Sequence, residues 1–262
     1  MSCRLVVLNL ANCDDDPRWP ERRAMVVAAL RPLQLDAVLL QEVRYDAQRC
    51  GALDMASQLA QALDLHCSLA IAQYYSPATL KPVDAVTSVW EGSAVLSRRR
   101  PRTVGQLNLA PSSGSSDKNH RVSQRVALAP SLSINSMPLT LVNVHLSTDE
   151  AELTTHLSQT LFWMREEGVG AARLCAGDMN AEPSVVTPLL RADNLVDAWL
   201  IKQPSAPGYT FPSAQPCKRI DYLWVDRTLA AALQRVELIL TEPRSDGLYA
   251  SDHLGLLAEF AL

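Results

Sequence analysis

Short apolar runs recur along the chain, and several are apolar at both alternating positions. Leu5, Val6, Val7 and Leu8, within residues 4–10, are an example. A strand with one wet face alternates between apolar and polar residues, whereas a strand covered on both faces reads as a continuous apolar run. Runs of similar length lie at residues 36–43, 86–97, 125–134, 138–146, 172–177, 219–225, 231–240 and 254–260. Their lengths and β-branched content predict strands rather than helices. Helical spacing occupies residues 20–33, 51–63 and 149–166, the last with Leu153, Leu157, Leu161 and Met164 along one stripe. Ser147 and Glu150 stand before it at capping-box spacing. The hydrophilic stretch at residues 110–121 has the composition of a mobile loop. Many strands, some joined as hairpins, with few amphipathic helices predict an α/β fold in which two sheets pack together and helices cover them outside.

Composition adds limits. The chain has 262 residues, 48% hydrophobic and 20% charged, with no linker or internal repeat to divide it. A single domain over residues 1–262 is therefore expected, with a core large enough to stand without staples. Lys and Arg total 24 against 28 Asp and Glu, a formal charge of −4, which is not the footprint of a protein that coats nucleic acid. The one dense basic cluster, RRRPR at residues 98–102, reads as a solvated turn. Six cysteines without C-x-x-C spacing indicate neither zinc nor a redox pair. Cys67 and Cys175 lie among apolar residues and are expected to act as small buried hydrophobes. The opening residues predict a strand rather than a signal peptide. No run reaches the ~18 apolar residues of a membrane span, so a cytoplasmic, reducing compartment is expected.

The chemistry lies where the predicted strands end. The first run reaches Asn9, the second Glu42 and the fifth His145. The sixth leads through Gly177 into Asp178 and Asn180, Asp221 opens the seventh, and Asp252 and His253 precede the last. Each has an ordinary reading. Asn9 and Asp252 suit turns, His145 suits a satisfied core histidine, and Asp221 suits a partner of Arg219. Together they suit one rim of a sheet. Glu42, Asp178, Asn180, Asn9 and Asp252 are all oxygen donors, which fit Mg²⁺ or Mn²⁺ better than zinc. Two imidazoles beside carboxylates supply proton transfer near neutral pH. With no candidate covalent nucleophile, the set points to metal-assisted attack of water on a phosphate ester.

The ordered motifs LNLAN, LLQEV, WEGSAVLSR, NVHLS, GDMNAEP, TFPSAQPCKRIDYLWV and SDHLG run from residue 8 to residue 255. This series resembles the endonuclease/exonuclease/phosphatase superfamily, which includes pancreatic deoxyribonuclease, neutral sphingomyelinases and inositol polyphosphate phosphatases. The resemblance implies a four-layered α/β/β/α sandwich, two packed mixed β-sheets flanked by helices. It implies a Mg²⁺- or Mn²⁺-dependent phosphoesterase, foremost a phosphodiesterase. The alternatives are an endonuclease or exonuclease on DNA or RNA, and an inactive binding module of the same fold. Position by position, Glu42 is implied as the main metal ligand, with Asn9 and Asp252 near the same or a second ion. Asp178 would orient and help deprotonate the attacking water, while Asn180 holds the scissile phosphate. His253 would contact phosphate or act as base, with Asp221 on its other ring nitrogen. His145 would stabilise phosphoryl oxygens or protonate the leaving group, with Glu91 as its partner. Arg219 is placed either in a salt bridge or on phosphate, and Arg121 and Arg125 toward substrate from the loop side. Residues 208–213, GYTFPS, are expected to wall the cleft. The implied substrate is a phosphoester, whether small, lipid-derived or nucleic acid, and no obligate protein partner is implied.

Overall fold

Hydrogen-bonded strand pairing gathers the chain into two sheets. The computed structural model describes residues 2–12, 18–110, 124–166 and 172–262. In chain order the first half holds β1 (Ser2–Asn9), α1 (Trp19–Leu30), β2 (Ala37–Tyr45), α2 (Met55–Leu63), β3 (His66–Tyr75), β4 (Pro82–Val83), β5 (Val89–Ser97) and β6 (Thr103–Leu109). Then come β7 (Arg125–Ile134), β8 (Met137–His145), α3 (Glu150–Glu166), β9 (Ala172–Asp178), α4 (Pro183–Ala192), β10 (Val196–Asp197) and α5 (Ala198–Lys202). The chain closes with β11 (Asp221–Val225), α6 (Arg227–Ala232), β12 (Leu233–Ile239) and β13 (Gly255–Ala261). One sheet has the order β12-β13-β1-β2-β5-β3-β4 and the other β10-β11-β9-β8-β7-β6. Each is mixed, with one parallel pair: β1 beside β2, and β8 beside β9.

The continuous apolar runs are explained by layering. Leu5 and Val7 of β1, Leu39 of β2 and Val95 of β5 face Leu128, Leu141, Leu174 and Leu223 across the gap between the sheets. The opposite parity, Val6, Leu8, Val38 and Leu40, packs under α1 and α2 through Trp19, Val26, Leu30, Met55 and Leu59. On the other side, Val142, Val144, Cys175 and Trp224 meet Leu153, Leu157, Leu161 and Met164 of α3 and Val186 and Leu190 of α4. Three apolar layers between four structural ones give the α/β/β/α sandwich.

The parallel pairs place the functional rim. Asn9 ends β1, Glu42 lies near the end of β2, and His145 and Asp178 end β8 and β9 in register with each other. Open α/β sheets present ligands outside the carboxyl ends of their strands. Asp221 begins β11 directly opposite Asp178, and His253 precedes β13, which pairs with β1. At Glu42 the pairing of β2 with β5 slips. Leu40 pairs with Ala94 and Val43 with Gly92, so Gln41 and Glu42 together face Ser93. Glu42 adopts a left-handed φ of 51° in this bulge, and bulges of this kind re-aim side chains. A buried amide contact spans the sheets beside it. Gln41 Nε2 donates to Asn143 Oδ1 at 2.6 Å, while Asn143 Nδ2 donates to Leu40 O at 2.9 Å and Ala94 O at 3.0 Å. Gly177 fixes the approach to Asp178. Its φ is +135°, and a Cβ there would lie 2.0 Å from Val144 O.

Several elements differ from the sequence reading. β3 and β6 went unassigned because Ala-rich HCSLAIAQYY and Gly-bearing TVGQLNL lack a strong strand pattern. The run 231–240 begins in α6, which Asp226 caps, and becomes strand only at Leu233. α4 begins at Pro183 and also contains Pro188, which obscured its helical period. The Ser147–Glu150 capping box is not formed. Asp149 Oδ1 instead accepts from Glu152 N at 3.0 Å, while Ser147 Oγ donates to Glu152 Oε2. Cys67 is exposed, whereas Cys175 is buried as expected. The stretch 110–121, apart from Ala110, lies outside the described residues. No described helix is long and apolar enough to cross a membrane.

Replacing Asn143 with Ala strands three buried groups on β2 and β5. Each such loss costs about 1–3 kcal/mol, and we expect urea unfolding to register a drop of about 3 kcal/mol or more. A loss inside measurement error would show that the sheets are held without this contact.

Candidate active site

Asp178 sits at the centre of the rim, fully buried, with partners from both sheets. Asn9 Nδ2 donates to Asp178 Oδ2 at 2.9 Å and to Glu42 Oε1 at 3.1 Å, so one amide clamps two carboxylates. Asn9 Oδ1 accepts from Ala11 N at 2.9 Å, which fixes the orientation of that amide. His145 Nε2 and His253 Nε2 each lie 3.8 Å from Asp178 Oδ2. His253 Nδ1 is 2.8 Å from Asp221 Oδ2, and its ring packs on Phe211 with centroids 4.8 Å apart. Asn180, with a left-handed φ of 52°, donates its backbone N–H to Asp178 Oδ1 and its side-chain amide to Leu146 O. Asn tolerates that backbone region better than most residues. A cleft of about 580 Å³ opens over this group, with Glu42, Glu91, Arg125, His145, Asp178, Asn180, Asp252 and His253 in its walls.

The charges in the cleft perturb one another. Burial raises the Asp178 carboxyl, Asp221 raises it further, and His253, Asn180 and Asn9 oppose them, leaving it at about 7. Burial alone would lower the His253 imidazole, but Asp221 foremost, then Asp178 and Asp252, hold it up at about 10. His145 moves the other way: burial, then Arg125, then His253 push it well below its ordinary value. Arg125 Nη1 stands 2.9 Å from His145 Nδ1, so this corner carries a guanidinium against a neutral ring. Burial raises Glu91 to about 7, Glu42 adds to it, and Arg125, Arg44 and Asn12 act against it.

Two groups fit a divalent cation. Glu42 presents its carboxylate to the cleft, gripped by Asn9 and by the Asn12 backbone N–H at 3.0 Å. Asp252 opens onto the same space, and its carboxyl is raised by burial and then by repulsion from Glu42, against the pull of His253. Two facing carboxylates of this kind are hard oxygen donors whose repulsion a Mg²⁺ or Mn²⁺ ion relieves. Asp178, Asp221 and His253 form the second group, with ligand atoms all within 4.8 Å of one another. Asp221 Oδ1 there is buried with no hydrogen-bond partner among the described residues.

The sequence-derived candidates separate accordingly. Asn9, Glu42, His145, Asp178, Asn180, Asp221, Asp252 and His253 meet at one cleft. Glu91 lines it too, but its carboxylate accepts from Asn12 Nδ2 and lies 4.0 Å from Arg44 Nη1, rather than pairing with His145. Arg125 holds that place. Arg219 is bonded to Asp197, with its guanidinium over the Tyr222 ring, so its role is structural and Asp221 belongs to His253. Phe211 lines the cleft, whereas Tyr209 is exposed and does not. Asn12, Tyr75 and Lys218 also line it and were not singled out; in Asn12, only its place three residues after Asn9 signalled a role. Arg121 lies outside the described residues. The arginines of residues 98–102 are at the far pole. Arg98 N bonds Asp36 O before the start of β2, about 20 Å from Glu42 at a strand rise of ~3.3 Å per residue.

Two mixed sheets face to face, with carboxylates, amides and imidazoles at one rim, make the chain an α/β/β/α sandwich with a polar cleft at the strand ends. A family model described as Endonuclease/Exonuclease/phosphatase family matches residues 6–253, and the chain belongs to that family. Its members are generally hydrolases of phosphoester bonds and generally use divalent metals. Solved structures agree on the fold. A family protein from Bacteroides thetaiotaomicron superposes with a TM-score of 0.76 at 17% identity, over 100% of this chain and 99% of that one. One from Bacteroides vulgatus gives 0.75 at 16% identity, over 100% and 99%. Truncated Caenorhabditis elegans TDP2 gives 0.71 at 17% identity, over 100% and 98%. No curated protein matches the sequence.

The Asp221–His253 pair yields a titration test on metal-free protein. A raised imidazole stabilises the fold fully below the unfolded value of 6.5, and that contribution fades as pH climbs through about 10. In histidine NMR spectra recorded in EDTA, His253 should stay protonated at pH 8, and Asp221→Asn should release that proton at lower pH. A wild-type His253 titrating at the ordinary value would refute the coupling.

Proposed function

We propose that the protein is a divalent-metal-dependent phosphodiesterase that hydrolyses a phosphate ester by attack of water. The observation that carries this reading is the position of Asp178. It is clamped by Asn9, flanked by two imidazoles, and raised toward neutrality where a general base works best. Glu42, with Asp252 beside it, would hold a Mg²⁺ or Mn²⁺ ion. Bound there, the ion would supply positive charge to the phosphoryl oxygens and leaving group.

The chain's own residues do the remaining work. Asp178 orients the attacking water and accepts its proton at Oδ2, the oxygen that the imidazoles flank. Asp221 fixes His253 through Nδ1, leaving protonated Nε2 toward the cleft to meet phosphoryl oxygen. Asn180, tethered to Leu146 O, stands at the cleft wall where its amide steadies the phosphate. His145 is neutral against Arg125, so the guanidinium supplies positive charge at that corner. A nuclease uses the same chemistry, but the densest arginine cluster lies at the pole opposite the cleft.

A chromogenic phosphodiester assay tests the proposal. EDTA should abolish turnover, and added Mg²⁺ or Mn²⁺ should restore it. Glu42→Gln and His253→Ala should each lower kcat by ~10²-fold or more, the usual effect of removing one electrostatic stabiliser. Wild-type turnover in either variant would overturn the assignment.

A further inference from the structure

The cleft has a second chamber. The first, about 580 Å³, contains His145, Asp178, Asn180 and His253 and has Phe211 and Tyr75 among its walls. The other, about 520 Å³, lies beyond Asn12, Glu42 and Asp252, which line both. Arg18, Arg22, Ser213, Leu248 and Tyr249 are among its other walls. Cavities of a few hundred Å³ accept a substituent of small-molecule size.

Geometry at phosphorus then limits the substrate. A phosphoryl group reached by Asp178 and His253 from one side, and by Glu42 and Asp252 from the other, straddles the junction. A monoester carries one organic arm and fills one chamber. A diester carries two, diverging tetrahedrally, and sends one into each.

Tyr249 is built to meet the arm in the second chamber. Arg244 N donates to Leu248 O at 2.8 Å and Gly247 N to Arg244 O at 2.9 Å, which closes the turn before it. Leu248 and Ala250 on either side are buried, and Ala250 O accepts from Arg22 Nε at 3.1 Å. Tyr249 is thus held half-exposed between two anchors, and its hydroxyl makes no hydrogen bond to the described residues. A half-exposed aromatic ring on an anchored backbone, with a spare hydroxyl, can stack on a planar group and hydrogen-bond its edge.

We infer that the substrate is a phosphodiester whose two arms occupy separate chambers, one of them a planar, hydrogen-bonding group stacked on Tyr249. The inference rests on the phosphodiesterase reading above, which has its own test. Bis(p-nitrophenyl) phosphate and p-nitrophenyl phosphate serve as the two-armed and one-armed probes. With Mn²⁺, the wild type should favour the diester in kcat/KM. Tyr249→Ala should raise KM for the diester about tenfold, in the range lost with one stacked ring, with kcat within about twofold; Tyr249→Phe, which keeps the ring and loses one hydrogen bond, should raise KM about two- to fivefold. In EDTA, with no turnover, calorimetry should give a Kd for the diester about tenfold weaker in Tyr249→Ala, while the monoester, seated beside Phe211, stays within about twofold. Equal effects on both probes, no effect on either, or no diester binding to the wild type would overturn the inference. If neither probe is hydrolysed but the binding split persists, the phosphodiesterase reading fails and the two chambers stand.

Discussion

The rim depends on how closely the two sheets approach at one point, and that approach is set by a buried pair of amides. Apolar layers hold the sheets together but are tolerant of small slides. Gln41 and Asn143 are not, because an amide left without its partner in a dry interior costs as much as a lost hydrogen bond. Asn143 bonds both the strand that bulges and the strand it bulges against. It therefore ties the register of one sheet to the position of the other, and Glu42 next to it inherits both constraints. The carboxylates of β2 and β9 can then share the Asn9 amide, a contact that needs hydrogen-bond placement across two sheets.

What this placement produces is a cluster of charges that restrain one another. Asp178 would be a poor base if it sat in water, and it would be unstable if buried alone. Burial and Asp221 raise it while His253 and two amides limit the rise, and Asp221 in turn keeps His253 charged. Each member is acceptable in the interior only because the others are there. The same logic explains the neutral His145: a guanidinium against a buried ring leaves no room for a second positive charge.

The sequence made much of this legible, for a physical reason. Strands covered on both faces must be apolar throughout, so the polar residues that end them stand out, and those ends are where the cleft lies. Residues that act through a partner were less visible. Arg219, two residues before Asp221, pairs in space with Asp197, because it lies ahead of β11, which begins only at Asp221. Glu91 turns to Asn12 and Arg44, and Arg125 takes the place beside His145, a choice decided by the packing of β5 against β7. β3 and β6 were hidden because edge and near-edge strands can carry mixed residues. The arginine run at residues 98–102 showed its charge in the sequence but not its address, which depends on β5 running antiparallel to β2 and so ending beside its start.

The order of strands in the larger sheet has a consequence for how the protein is made. β13 does not join an edge; it slots between β12 and β1, a strand far from it in the sequence. His253 arrives only with that insertion. A chain whose residues 255–261 have not yet paired leaves the side of β1 that β13 covers open, so completion of the polar rim waits on a contact between strands far apart in the sequence.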